Sequence, residues 1–267
     1  MTNPPPSPPP PVPKPPAYPS GRGLLAGKTV LVTAAAGTGI GFATAKRAVE
    51  EGARVVVSDI HERRLREAAE QLGAGAHAAL GNVAVEDDVQ RLVAEAVDFG
   101  GGQLDVLVNN AGLGGTATLA EMTDEQWFSV LDVTLTGTMR MTRAALRHMA
   151  EKGTGAIVNN ASVVGWRAQE GQAHYAAAKA GVMALTRCAA IEAAPNNVRV
   201  NAVAPSLAMH PHLAKVTTDE LLAELETREA FGRAAEPWEV ANVIIFLASD
   251  LASYMTGEIV SVSSQHP

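Results

Sequence analysis

The chain is nearly devoid of cysteine: Cys188 is the single one among 267 residues. An internal disulfide is excluded, and nothing in the composition demands an oxidising compartment, so a cytoplasmic protein is expected. Positive charge is in deficit, with 21 Lys and Arg against 28 Asp and Glu and a formal net charge of −7. That balance argues against a general binder of nucleic acid or of anionic membranes, while leaving room for a local basic pocket. Long apolar runs are missing as well, none reaching the roughly 20 residues that span a bilayer. The start lacks the basic and then apolar stretch of a secretory signal. What is present is 47% hydrophobic residues, enough for a sizeable core in a chain whose length suits one or two domains.

Proline is unevenly spread. Eleven of the 16 prolines lie in the first 20 residues, MTNPPPSPPPPVPKPPAYPS. Proline has no N–H to give to a helix or a sheet interior, so residues 1–22 are expected to form an extended, mostly disordered tail. No repeat or linker divides residues 23–267, which are expected to form one domain.

Within that domain, short apolar β-branched runs alternate with helical patterns. Strands are predicted at 28–34, 53–59, 76–80, 104–112, 155–162, 198–205 and 258–262. Helices are predicted at 40–51, 62–72, 86–98, 124–149, 172–193 and 237–248, and a polar stretch fills 206–235. Strand and helix in alternation imply an α/β fold, a doubly wound Rossmann-type domain with a seven-stranded parallel sheet between helices. The near-continuous apolar strands fit a sheet buried on both faces, and ligands belong at the carboxyl ends of its strands.

The first strand runs into TAAAGTGIG, Thr33 to Gly41, and then a helix. Gly37, Gly39 and Gly41 in that setting are a candidate dinucleotide loop, because glycine lets the backbone approach a pyrophosphate at a helix start. Asp59 ends the second strand, 18 residues after Gly41. A carboxylate there can accept from the adenosine ribose hydroxyls and repels a 2′-phosphate, which favours NAD over NADP. His61, Arg63 and Arg64 follow closely and weigh the other way. Tyr175 and Lys179 are four apart on a predicted helix and so share a face. Ser162 ends the fifth strand 13 residues earlier, on the same rim as Asn109, Asn110, Ala111 and Gly112.

With these residues in order, the chain resembles the short-chain dehydrogenase/reductase family over about residues 24–263. The resemblance implies a nicotinamide cofactor, held by Gly37, Gly39, Ile40, Asp59, Asn82, Val83, Asn110, Ala111, Gly112, Tyr175, Lys179 and Pro205. It implies catalysis by Ser162, Tyr175 and Lys179, with Thr134 in a proton relay. Hydride moves between the nicotinamide and a carbinol or carbonyl carbon, and a proton moves at the oxygen. Tyrosine is a poor base at neutral pH; a nearby lysine ammonium is expected to lower its pKa, and Ser162 to hold the substrate oxygen.

Three departures stand out. The glycine loop looks like the family's Thr-Gly-x-x-x-Gly-Ile-Gly with one residue inserted and the first glycine displaced to Ala34 or Ala35, which predicts a slightly wider turn. Thr134 stands where the family usually has asparagine, and Asn82 where it has aspartate near the adenine; asparagine can still receive the exocyclic amine through its carbonyl. Ser206 follows Pro205 where glycine is usual, and His210 stands near the place of a threonine that touches the carboxamide. His210 and His212 with no third ligand are a poor metal site, and no metal is expected.

Residues 206–235 correspond to the family's substrate lid, with Leu207, Met209, Leu213 and Leu221 as its apolar set. Trp166 and Arg167 follow Ser162 and could line the entry. Strings such as DIHERRL, NNASVVGWRAQ, FGRAAEPWEV and SVSSQHP look like the IpdF-type actinobacterial dehydrogenases of steroid C/D-ring breakdown. That branch implies a ring hydroxyl on a 7a-methyl-1-oxo-hydroindane carboxyl-CoA thioester, with Arg167, Arg143 and Lys215 as candidates for the CoA phosphates. The same motifs fit a 3-oxoacyl thioester reductase using NADPH, against which Asp59 argues. A non-catalytic nucleotide-sensing protein is the alternative of another class, against which the retained Tyr175 and Lys179 argue. The resemblance also implies a homotetramer.

Overall fold

The computed structural model describes residues 12–209 and 219–265. Seven strands form one parallel sheet: β1 (Thr29–Thr33), β2 (Arg54–Asp59), β3 (Ala76–Leu80), β4 (Val106–Asn109), β5 (Gly155–Asn160), β6 (Val198–Pro205) and β7 (Ile259–Val262). Their order across the sheet is β3-β2-β1-β4-β5-β6-β7. The chain leaves β1 toward one edge and returns to its other side with β4, so the two crossovers diverge there and open a crevice at the strand ends.

Side chains alternate across each strand. Val30, Val32, Val55, Val57, Val106, Val108 and Val158 pack on one face, against α1 (Ile40–Glu50), α2 (Glu62–Leu72) and the last helix, α8 (Pro237–Ala248). Leu31, Val56, Leu107 and Ile157 pack on the other, under α3 (Glu86–Phe99), α5 (Gly137–Lys152) and α6 (Ala173–Ala193). Helix α7 (Asp219–Thr227) lies in the lid region.

The helix expected over 124–149 is interrupted. Helix α4 (Asp124–Leu131) passes through a π-helical turn, Asp132–Thr136, before α5 begins at Gly137. Local sequence does not announce the break; tertiary contacts do. Thr134 Oγ1 accepts from Leu113 N at 2.9 Å and faces Leu113 O at 3.1 Å, so the extra residue in the turn is swung toward the β4 loop. At Gly137 a Cβ would lie 2.7 Å from Val83 Cγ2, which explains why a glycine opens α5. Strand β4 is also shorter than expected, because from Asn110 onward the backbone turns to bind Thr33 rather than a neighbouring strand.

The expected tail reads differently as well. Its described part, residues 12–22, is laid along the body. Tyr18 packs edge-on against Trp238 at 5.5 Å and donates to Glu50 at 2.5 Å. Arg47, buried, donates to the carbonyls of Pro19 and Ser20, at 2.6 and 3.2 Å. Fully buried Glu51 accepts from the N–H groups of Arg22 and Leu24 and pairs with Arg47. Burial alone would raise the Glu51 pKa, but those backbone N–H groups and Arg47 hold it below the usual range. Proline does not need a ladder here: its carbonyls remain acceptors, and side chains of α1 supply the donors.

Candidate active site

The crevice at the β1–β4 divide is held by Asn110. Its backbone N–H and that of Ala111 each donate to Thr33 Oγ1 at 3.0 Å. Its side-chain amide donates to the carbonyls of Thr33 and Ala34 at 3.1 Å, and its Oδ1 accepts from Asn160 at 3.0 Å. The ends of β1, β4 and β5 are thus tied by one asparagine.

The loop after β1 resolves the question of the displaced glycine. Ala34 itself takes the left-handed backbone, φ 51°, and Gly37 follows with φ 153°. Gly41 is confined: a Cβ there would lie 2.4 Å from both Ala34 O and Asn110 Nδ2. Gly39 caps α1 without a side-chain hydrogen bond, and no acidic residue occupies the first turn. The helix start therefore offers free N–H groups and a positive dipole end to an external anion. Asp59 closes the far side. Its carboxylate accepts from Ala36 N at 3.3 Å and His61 N at 3.0 Å. Burial raises its pKa, opposed by the Ala36 N–H and by Arg64. These features fit a dinucleotide: an uncapped helix start for the pyrophosphate and a partly exposed carboxylate for the ribose.

Of the other expected cofactor residues, Val83 is buried and Asn82 opens an Asx turn, its Oδ1 accepting from Ala84 N at 2.9 Å. The asparagine carbonyl expected to receive the adenine amine is thus already engaged on one lone pair, because it replaces a backbone turn bond ahead of α3. Pro205 ends β6 on the same rim.

Ser162, Tyr175 and Lys179 converge. Ser162, 9% exposed, accepts from Val164 N at 3.2 Å and lies beside Tyr175, whose pKa it holds down. Lys179, fully enclosed, donates to the Asn160 carbonyl and lies 5.5 Å from the Tyr175 ring centroid. The Gly112 loop passes over it, a Cβ at Gly112 falling 3.5 Å from Lys179 Nζ and 3.7 Å from Thr134 Oγ1. The electrostatics differ from the expectation. Burial raises the Tyr175 pKa, offset by Ser162 rather than by the lysine. Lys179 is itself lowered to about 8 by burial.

Thr134 reaches the site but spends its hydroxyl on Leu113, donating and accepting at one backbone unit. Arg143 is away from it, on α5, bound to Glu86 at 2.6 Å. Trp166 is half exposed. Leu221 lies in α7. His210, His212, Leu213 and Lys215 fall outside the described residues. Among the described residues no three metal-binding side chains gather, and no helix is long and apolar enough to cross a membrane. Asn160 and Thr33, which end β5 and β1, are not among the expected site residues; no motif in the sequence marks them. Glu229 and Gln265 carry no local signal in the sequence either.

Known proteins place this arrangement in context. The family profile described as enoyl-(acyl carrier protein) reductase matches residues 34–264. The (5R,7aS)-5-hydroxy-7a-methyl-1-oxo-2,3,5,6,7,7a-hexahydro-1H-indene-carboxyl-CoA reductase of Mycobacterium tuberculosis is 60% identical over 93% of this chain and 96% of its own. A 3-oxoacyl-[acyl-carrier-protein] reductase of Thermotoga maritima is 40% identical over 89% of this chain and 97% of its own. The crystal structure of a short chain dehydrogenase from Mycobacterium smegmatis superposes with a TM-score of 0.84 at 56% identity, covering 95% of this chain and 99% of that one.

Proposed function

The chain belongs to the short-chain dehydrogenase/reductase family of oxidoreductases, and on that premise we propose that it moves hydride between NAD and a ring hydroxyl or ketone of a bicyclic, steroid-derived acyl-CoA thioester. The observation that carries the chemistry is the meeting of Ser162, Tyr175 and Lys179 beside the β1–β4 crevice. The substrate class is supported by the relative named for a methyl-oxo-hexahydroindene carboxyl-CoA.

Family members use nicotinamide cofactors, which supply or accept the hydride when bound. The rest falls to the protein. Gly37, Gly39 and Ile40 would receive the pyrophosphate at the α1 start, Asp59 the adenosine ribose, and the Asn82–Val83 turn the adenine. Asn110, Ala111, Gly112 and Pro205 would frame the nicotinamide half. Ser162 Oγ donates to the substrate oxygen and stabilises its developing charge. Tyr175 transfers the proton: its raised pKa keeps it a phenol at neutral pH, the form that protonates a carbonyl oxygen in reduction. For oxidation the same oxygen must first lose its proton, so that direction gains with rising pH. Lys179, which donates to the Asn160 carbonyl, would hold the cofactor ribose; Thr134 holds the Leu113 backbone above it. The protein acts as a cytoplasmic homotetramer in this reading.

The deciding assay offers NAD and NADP with the hydroxylated hydroindane carboxyl-CoA thioester and with a straight-chain 3-hydroxyacyl-CoA, followed by nicotinamide absorbance. Turnover of the bicyclic thioester with NAD is expected; turnover of the straight chain alone with NADP overturns the substrate and cofactor assignments together. Tyr175→Phe is expected to keep cofactor binding and lose turnover by roughly 10²–10⁴-fold. An active Tyr175→Phe enzyme would remove Tyr175 from the role of proton donor.

A further inference from the structure

The end of the chain closes a polar network that the hydride chemistry does not use. Glu229, at the base of the lid region, is 4% exposed. Its carboxylate accepts from Ser206 Oγ at 3.0 Å, Leu207 N at 3.3 Å, Ser264 Oγ at 2.8 Å and Gln265 Nε2 at 2.7 Å. Ala230 N adds a bond to the Ser264 carbonyl at 2.9 Å. All these donors are neutral, and together they satisfy a buried carboxylate without a cation. The loop after β6, the base of the lid and the C-terminal segment are pinned at this one group.

Gln265 turns the other end of its amide toward Arg167. The guanidinium donates to Gln265 Oε1 and, at 3.4 Å, to the Gln265 backbone carbonyl. Arg167 follows Ser162 by five residues and is anchored through its own N–H to Val163 O at 3.1 Å. It is therefore a partly buried cation at the rim of the site, occupied by neutral carbonyl oxygens. A guanidinium fork matches a phosphate bidentately in shape and in charge, and a neutral amide oxygen offers it no opposite charge.

We propose that Arg167 is the phosphate receptor at the substrate mouth and that Gln265 is its placeholder, displaced from the guanidinium when a phosphorylated thioester carrier enters. Glu229 meanwhile keeps the lid base and the tail docked through Ser264 and Ser206. The proposal rests on the thioester reading above and assigns the residue that recognises the carrier.

The test compares the same acyl group carried on CoA and on pantetheine, which lacks the phosphates. Arg167→Gln is expected to raise KM for the CoA thioester by at least about tenfold, the loss of one charge-assisted hydrogen bond. It should leave kcat and the KM for the pantetheine thioester unchanged. Gln265→Ala should lower the KM for the CoA thioester or leave it as it is, and Gln265→Glu, which puts a carboxylate on the guanidinium, should raise it. Equal effects on both thioesters, or a KM increase in Gln265→Ala matching that of Arg167→Gln, would overturn the proposal. If Arg167→Gln melts early, Arg167→Lys takes its place and should retain most of the preference for CoA. If the wild type turns over neither thioester, the functional reading fails on its own; calorimetric binding of free CoA to the wild type and to Arg167→Gln then decides the receptor, and equal affinities refute it.

Discussion

At the scale of the residue, Ala34 is the informative departure. A left-handed backbone costs an L-residue roughly 1–2 kcal/mol, and Ala34 stands at φ 51°, a backbone that glycine adopts without strain. Ala34→Gly removes that strain but loosens the unfolded chain by roughly 0.4–1 kcal/mol. A net stabilisation of about 0.5–1 kcal/mol is expected in urea unfolding, and Ala34→Val should destabilise; the reverse order would mean the strain is taken up elsewhere. Lys179 makes the second case. Its folded pKa, about 8, is depressed from 10.5 by burial, so the fold disfavours the charged form. That penalty is fully felt below pH 8 and disappears as pH rises through 10.5. Lys179→Met should therefore raise stability at pH 7, by at most about 3 kcal/mol, and the gain should shrink between pH 8 and 10.5. A pH-independent difference in melting temperature would contradict the burial account. Tyr175, Lys179, Ser162 and Asp59 are candidates that type and spacing alone single out. The direction in which burial pushes Tyr175, Lys179 and Asp59 was not legible there, because desolvation depends on what packs around a group rather than on its neighbours in the chain.

At the scale of the element, helices with a clear period and a capped end were legible: α2 (Glu62–Leu72) stops at Gly73, φ 82°, as its sequence implies. The π turn at Asp132–Thr136 was not, since it answers to Leu113, 21 residues away. Nor was the docking of residues 12–22, where composition pointed to disorder and the partners lie on α1 and α8. The Tyr18 pKa, raised to about 12 by burial and then by Glu50, gives that contact a pH signature. A phenol with a raised folded pKa stabilises the fold fully below pH 10.0, and the contribution is lost as pH rises through about 12. Trp238 fluorescence should report release of the segment in that window. Tyr18→Phe should abolish the transition, and Tyr18→Ala should lower the melting temperature at every pH. A fluorescence change unaltered in Tyr18→Phe would place the transition elsewhere.

At the scale of the whole molecule, α5 and α6 leave a groove whose lining combines Met139, Leu146, Leu185, Ala189 and Ala193 with Arg143, Arg147 and Glu192, on the face where the proposed tetramer would form. Small residues there allow close helix approach. Leu185→Arg should convert a tetrameric mass in light scattering to a smaller species without loss of helical content; a wild type that is already monomeric at working concentration would refute the assembly.

What the amino-acid sequence by itself determined is the alternation of strand and helix, the parallel sheet that follows from it, and the candidate residues at the strand ends. These depend on local period and on the short reach of turns and caps. The tertiary structure alone decided which loop residue takes the left-handed backbone, that Asn110 and Asn160 knit the rim, that Thr134 is bound to Leu113, and that Glu229 and Gln265 meet Arg167. Each of those joins groups far apart in the chain. A single asparagine, glutamate or glutamine carries no period to announce its partner; only the packed sheet brings the partner within hydrogen-bonding distance.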